Sequence, residues 1–505
     1  MQIDRRQVLS GMAGVLGAAA LPGATDVAGA QTLAGRGFPR KADFTFEPGV
    51  TYINGAFTHP MPTNAAEAYR RSIHRRTTVG AKFVPTPDVR PMFAALINAQ
   101  AEEIGLVPNT STGENLVVEA LELKAGRDNV VTDALHFEGA LVHLMERKKQ
   151  GLDVRVVMPK DGRIDIADME KVIDANTKLV EVSFVAMYNG FQHDLKAVCD
   201  LAHAKGALVY ADIIQGVGAV PLDVKATAVD FAATSTYKWL MGDFGFGFLY
   251  VKAAHLDRLR RPHWSYESAP DVAFHWSPTD PATPNPIAYT PGRGAGTFTR
   301  LGTVASGVAF ALGVSLPYIQ SLGVASIQAH RQPLLKKLQD EMPRLGFVPQ
   351  TPRESTSPIV TFAHKDAERL TKRLAAAKVD VRIADYWVRI APSTYNDMAD
   401  IRSARRIEIG ALLPVHAHRW RPVQADRAGL GTHVHATALV PAFAWIVHVG
   451  WRALLFVRQE KIHGADVQAQ VAAGAELRND RDRRHDRLIG HGEHLVAHRP
   501  ASSRM

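Results

Sequence analysis

The chain has 505 residues, 46% hydrophobic and 22% charged, with a formal net charge of +9 and one cysteine. That length supports a large core and more than one domain. The lone thiol, Cys199, excludes an internal disulfide and a cysteine-built metal site, and no cluster of Lys/Arg with interleaved aromatics in the middle of the chain marks a nucleic-acid partner.

The N-terminus reads as a targeting segment. Arg5-Arg6 precede an apolar run over 8–21, and Val27-Ala28-Gly29-Ala30 offers small residues for cleavage. Adjacent arginines point to twin-arginine export, which moves folded proteins. Residues 1–30 are therefore expected to be a signal peptide removed after Ala30, leaving a periplasmic or secreted protein. The apolar run is short for a membrane anchor.

A segment over 31–60 follows, then an expected large domain over 61–300 and a smaller one over 301–405. Apolar strands are predicted at 130–132, 154–158, 179–184, 207–211, 231–234 and 247–251. Helices are predicted at 115–123 and at 195–205, the latter stopping at Gly206. Alternation of helices and strands argues an α/β fold. The strands are apolar throughout, so the mostly parallel sheet is expected to be covered on both faces. Residues 264–296, rich in Pro, Gly and aromatics, read as an ordered loop, with a helix at 304–322 after it. A second α/β unit is expected from about 325 to 401, with strands at 358–362 and 379–382 and a helix at 366–377.

The most informative stretch is Val209-Tyr210-Ala211-Asp212-Ile213-Ile214-Gln215, followed by Ala233-Thr234-Ser235-Thr236-Tyr237-Lys238-Trp239. Each half sets polar residues just beyond an apolar strand, where ligands of α/β sheets sit. An acid after one strand and a lysine after the next can face one ligand. A carboxylate beside a pyridinium nitrogen favours its protonated, electron-accepting form. A lysine can hold an aldehyde as a Schiff base and act as a free base once displaced.

These motifs resemble the class V aminotransferase superfamily of fold type I pyridoxal-phosphate enzymes. Asp212-Ile213-Ile214-Gln215 resembles its Asp-x-x-Gln/His, and Ser235-Thr236-Tyr237-Lys238 its Ser-x-His/Tyr-Lys. Tyr52-Ile53-Asn54-Gly55-Ala56 resembles the opening Tyr-Leu-Asn-x-Ala, and Asn109-Thr110-Ser111-Thr112-Gly113-Glu114-Asn115 the phosphate turn. The resemblance implies pyridoxal 5'-phosphate on Lys238, with Asp212 at its ring nitrogen and Gln215 near its phenolic oxygen. It implies Ser111, Thr112, Ser235 and Tyr237 around the phosphate, at a helix N-terminus suited to an anion. His136 or Phe137 would stack on the ring. Gly294-Ala295-Gly296-Thr297 resembles a loop whose threonine reaches the neighbouring subunit's phosphate, implying a homodimer. Val388-Arg389-Ile390-Ala391-Pro392-Ser393-Thr394-Tyr395-Asn396 resembles the signature whose arginine forks onto the substrate carboxylate; Asn54 joins it as a substrate contact. No metal is implied.

Two departures separate the chain from cysteine desulfurases. Met187 stands where they often carry an asparagine, and residues 382–389 hold no mobile cysteine. The tyrosine before Lys238 is closer to isopenicillin N epimerases and kynureninases. Transamination or epimerisation of an amino acid is therefore the leading expectation, with kynureninase-like or C–S lyase cleavage as the alternative and a non-catalytic binding protein of the same fold as a third. Tyr188, Tyr386 and His59 are candidate proton donors for epimerisation.

From about Arg402 the composition changes. The last stretch holds ten of the 21 histidines and fifteen arginines against one lysine, Lys461. This bias resembles GC-rich DNA read in a shifted frame. Residues 406–505 are expected to lack a packed core and to hold no site residue.

Overall fold

The structure is a computed structural model of the single chain, and it describes residues 37–78, 86–269, 273–274, 287–299, 302, 304–404, 447–449 and 452–454. The expected signal peptide and nearly all of the His/Arg-rich tail lie outside the described residues. In the tail, Val447–Val449 and Arg452–Leu454 pair antiparallel.

Seven strands form the main sheet: β1 (Ile104–Val107), β2 (Asn129–Asp133), β3 (Asp153–Val157), β4 (Thr177–Ser183), β5 (Leu208–Asp212), β6 (Phe231–Ser235) and β7 (Gly247–Val251). Their order is β1-β7-β6-β5-β4-β2-β3. Neighbours run parallel except at β7, which is antiparallel to both β1 and β6. β2, β6 and β7 are buried at every residue, as in a sheet covered on both faces; the neighbours Val130 and Val131 of β2 enter different core clusters.

The helices are α1 (Thr63–Thr78), α2 (Arg90–Ile97), α3 (Thr110–Ala120), α4 (Glu138–Lys149) and α5 (Leu195–Ala204). α5 starts where the Asp194 side chain accepts from the Ala197 amide and stops before Gly206, whose φ of 80° suits glycine. Its amphipathic face buries Cys199 completely. α3 begins five residues before the expected start. The Asn109 carboxamide caps it by accepting from the Thr112 amide, so Ser111 and Thr112 lie in the first helical turn and not in a preceding loop.

A second sheet has β8 (Val348–Pro349), β9 (Val360–Ala363), β10 (Arg382–Ala384) and β11 (Trp387–Ile390) in the order β8-β9-β11-β10, all antiparallel. Further helices are α6 (Ser306–Leu322), α7 (Val324–Glu341), α8 (Ala367–Ala376) and α9 (Met398–Ala404), beside the short helical turns Ile166–Glu170, Val224–Thr227 and Ala295–Thr299. Phe362, Val388 and Ile390 from this sheet pack with Leu334 and Leu338 of α7 and Leu370 of α8. The strand expected over 379–382 is split because its two halves have different partners. Val379–Asp380 pairs parallel with Thr51–Tyr52, whereas Arg382 opens β10 against β11. That pairing, with the Asn54–Ala391 bridge, brings the N-terminal segment beside Arg389.

Among the described residues no single helix is long and apolar enough to cross a membrane. The bent pair beginning with α6 passes on composition, but the buried side chains of α6, such as Leu312 and Leu316, belong to the main core.

Candidate active site

Parallel strands place their carboxyl ends along one edge, and there the fold gathers Asp133, Ser183, Asp212 and Ser235. Asp212 ends β5 and is almost fully buried. Its Oδ1 accepts from the Ile214 amide at 2.9 Å. Burial pushes its carboxyl up to about 6, while the positive charge of His136 and the amide bond pull the other way.

Lys238 follows β6 in a turn tied by Thr236, whose hydroxyl donates to the Asp243 and Phe246 carbonyls at 2.8 and 3.0 Å. The side chain is only 8% exposed. Burial, and then the charge of Arg389, lower its amine to about 7. Among the described residues no carboxylate pairs with it. A lysine so placed is a neutral nucleophile and base near neutral pH.

Arg389 projects from β11 and is 3% exposed. Its Nη1 donates to the Met187 carbonyl at 3.0 Å, and its Nε is buried with no hydrogen-bond partner. No carboxylate among the described residues pairs with it. Burial lowers it to about 10. At the Met187 position the backbone oxygen, not a side chain, makes the polar contact.

The remaining expected residues divide. Ser235 joins the start of α3, its hydroxyl accepting from the Thr110 amide at 3.1 Å and lying 3.2 Å from Thr110 Oγ1. Ser111 and Thr112 are half-buried in that same turn. Tyr237 stacks on Phe244 at 4.3 Å between ring centroids, and its carbonyl accepts from the His59 amide. Gln215 acts as a strut: its amide donates to the Ala56 carbonyl at 3.0 Å, and its oxygen accepts from Trp239 Nε1 at 3.1 Å. Asn54 donates to Asp380 at 2.9 Å, leaving its buried Oδ1 without a partner. A Cβ at the next residue, Gly55, would lie 3.2 Å from both the Trp239 ring and the Ala391 carbonyl, so a side chain there would require these neighbours to give by a few tenths of an ångström.

His136 and Phe137 separate. His136 is fully buried with both ring nitrogens engaged, Nδ1 2.8 Å from Ser183 Oγ and Nε2 3.0 Å from Glu114 Oε1. Phe137 caps α4 and is half-buried. The Thr297 hydroxyl donates to carbonyls of its own turn, those of Arg293 and Gly294. Among the candidate proton donors, His59 has both nitrogens within hydrogen-bond distance of Ser393 Oγ and the Pro60 carbonyl, and Tyr188 donates to Glu138. Tyr386 is 46% exposed.

The sequence reading passed over Glu114, His143 and Glu181, whose possible ligand atoms lie within 4.8 Å of one another in the buried interior. A signal existed: Glu181 interrupts an otherwise apolar strand, and a buried acid needs a partner.

The class V aminotransferase family model matches residues 63–384. A probable cysteine desulfurase of Methanothermobacter thermautotrophicus is 29% identical over 297 residues, 57% of this chain and 71% of that protein. An uncharacterized aminotransferase of Bacillus subtilis is 26% identical over 351 residues, 69% of this chain and 90% of its own. Among solved structures, a cystine C–S lyase in complex with its reaction product cysteine persulfide superposes with a TM-score of 0.63 at 18% identity, covering 72% of this chain and 99% of that one.

Proposed function

The chain belongs to the class V aminotransferases, pyridoxal-phosphate-dependent enzymes, and from that premise we propose that it cleaves a carbon–sulfur bond of a sulfur-containing amino acid. The cofactor chemistry beneath this reading is carried by a buried trio, Lys238, Asp212 and Arg389, in which neither the lysine nor the arginine is ion-paired within the described residues. An unpaired buried arginine is costly unless an anion completes it.

These residues fit the cofactor. Lys238 offers a buried neutral amine, Asp212 a buried carboxylate for a ring nitrogen, and the first turn of α3 with Ser235 an amide-rich cradle for a phosphate. When bound, pyridoxal phosphate supplies the aldehyde that captures the substrate amine and the electron sink that acidifies its Cα. Arg389 then forks onto the substrate carboxylate and fixes the orientation of Cα. Lys238 would hold the aldehyde and, as a free amine, would take the proton from Cα and return one to the departing group. Asp212 would favour the protonated ring nitrogen.

Two of the three named relatives, the probable cysteine desulfurase and the cystine C–S lyase, support C–S cleavage over the transamination or epimerisation expected from the motifs. The fate of the sulfur follows from this chain's own residues. Cys199 is its one cysteine. It is fully buried, and burial pushes the thiol up to about 12, so it cannot serve as a sulfur acceptor. Sulfur therefore leaves with the product, as free sulfide or as a persulfide. The working protein is proposed to be a homodimer, with Thr297 at the partner's phosphate, exported by the twin-arginine route.

The test is product analysis with cysteine and cystine. Pyruvate, ammonia and reduced sulfur, formed in equal or persulfide stoichiometry, support the reading. A keto acid that retains the sulfur, formed only with an added keto-acid acceptor, returns the enzyme to transamination. Recovery of the opposite enantiomer returns it to epimerisation.

A further inference from the structure

Glu181 on β4 is in register with Tyr210 on β5, and Ser183 with Asp212. In-register neighbours leave the same face of a sheet, as do alternate residues along a strand, so these four side chains share one face. α3 lays Glu114 over it, α4 lays His143 over it, and the turn after β2 adds His136. The contacts form a chain. Glu181 Oε2 lies 3.4 Å from His143 Nε2, which lies 3.7 Å from Glu114 Oε1. The same Glu114 oxygen lies 3.0 Å from His136 Nε2, and His136 Nδ1 lies 2.8 Å from Ser183, the cross-strand neighbour of Asp212. Glu114, Glu181 and His136 are each 2% exposed or less.

Two carboxylates buried this close cannot both remain charged alone. The two histidines supply partners, His136 against Glu114 and His143 between Glu114 and Glu181. For three members the directions agree: Glu114 is held down to about 2 against its burial by the two histidines, and both histidines are raised to about 9 by their carboxylates. Glu181, at the far end, is pushed up by burial. The charged groups acting on Asp212 are then His136, Glu114 and Lys238, and His136 is the cation fixed on the sheet face that Asp212 shares.

We propose that this buried chain is a positioning device for the cofactor, in which His136 presents a fixed positive charge to Asp212 and thereby keeps it a carboxylate beneath the ring nitrogen. Glu114 and Ser183 orient His136, and His143, within ion-pair distance of Glu114 and Glu181 but hydrogen-bonded to neither, adds a charge beside Glu114. Glu114, His136, His143 and Glu181 are positioning residues and are assigned no contact with substrate. The proposal rests on the cofactor reading above. It adds that the ring-nitrogen proton depends on residues two contacts away.

The experiment loads the full-length protein with pyridoxal phosphate labelled with 15N in the ring and reads its protonation by NMR. Wild type is expected to show a protonated nitrogen and Asp212→Asn an unprotonated one. Glu114→Gln, nearly equal in volume, should shift the signal toward the unprotonated form and lower kcat about tenfold, as loss of one pKa unit of support would, with KM little changed. In an Asp212→Asn background Glu114→Gln should cost nothing further, since both act through one proton. A folded, loaded Glu114→Gln protein with an unmoved 15N signal, or an undiminished penalty in the double variant, overturns the proposal. If Glu114→Gln fails to fold, His143→Gln reads the same signal with the same two outcomes. Metal retained in stoichiometric amount by the wild type and lost in His143→Gln also overturns it. A wild-type protein that takes up no labelled cofactor defeats the functional reading itself, which distinguishes the two failures.

Discussion

Replacing Arg389 with methionine should separate binding from stability. Arg389→Met keeps the length and most of the volume of the side chain but removes the charge and the fork. In the wild type the guanidinium is buried with an unpartnered Nε, and burial has lowered it from 12.5 to about 10. That depression corresponds to a cost of roughly 3 kcal/mol for keeping the charge inside the empty protein. The sign follows from linkage: a base whose folded value is depressed destabilises wherever the unfolded chain is protonated, so the cost is present at all pH below about 10 and fades as pH rises through it. Arg389→Met should therefore leave the empty protein as stable as wild type or more so at neutral pH. Substrate binding should move the other way. Two charge-assisted hydrogen bonds to a carboxylate contribute about 3–4 kcal/mol together, a factor of roughly 10²–10³ in kcat/KM. The assay compares an amino-acid substrate with the matching amine that lacks the carboxylate, beside thermal melts of the unloaded protein. Equal losses on the two substrates, or a large drop in melting temperature, would show Arg389 to be structural and refute the reasoning.

Asp212→Asn should retain cofactor and lose turnover by roughly 10²-fold, because the ring nitrogen no longer has a carboxylate to hold its proton; unchanged turnover would remove Asp212 from the ring. The rate at which unloaded protein captures pyridoxal phosphate should rise through pH about 7 and then level, following the free amine of Lys238. In Arg389→Met the rise should move to higher pH, since a repelling charge is gone; a rate still climbing toward pH 10 in the wild type would contradict the lowered lysine. A chain ended at Arg406 should keep its cofactor, its turnover and its melting temperature, measured side by side with the full-length protein, and a loss in any of the three would give the His/Arg-rich tail a role it is not expected to have.

The main sheet was legible in the sequence because its strands are short and largely apolar and, apart from the edge strand β3, covered on both faces; all six expected strands lie within two residues of the observed bounds. The sites of Asp212 and Lys238 were legible for a related reason. A polar residue directly after an apolar parallel strand has only the carboxyl edge to occupy. The start of α3 was misjudged because Asn109, Ser111 and Thr112 are turn-forming residues locally, and only the cap from Asn109 to the Thr112 amide turns them into a first helical turn. The split at 379–382 could not be read from periodicity, since it is set by a partner strand more than 300 residues earlier. The buried chain of Glu114, His143 and Glu181 was missed for the opposite reason to the strands. Its members come from three separate elements; Glu114 and His143 alone look like solvated charges, and only Glu181, inside an apolar strand, gives a local sign of burial. The in-register ladder of β4 and β5 puts Glu181 on the face of Asp212, and only the folded contacts through His143 bring Glu114 beside it.

The central claim is that Lys238 carries the cofactor, and borohydride reduction of the purified, yellow protein followed by peptide mapping tests it most directly. One pyridoxyl adduct per chain should appear on the peptide containing Lys238, and Lys238→Ala should lose both the adduct and the visible absorbance while keeping its fold. An adduct on another lysine, or a Lys238→Ala protein that still turns over repeatedly, would contradict the account.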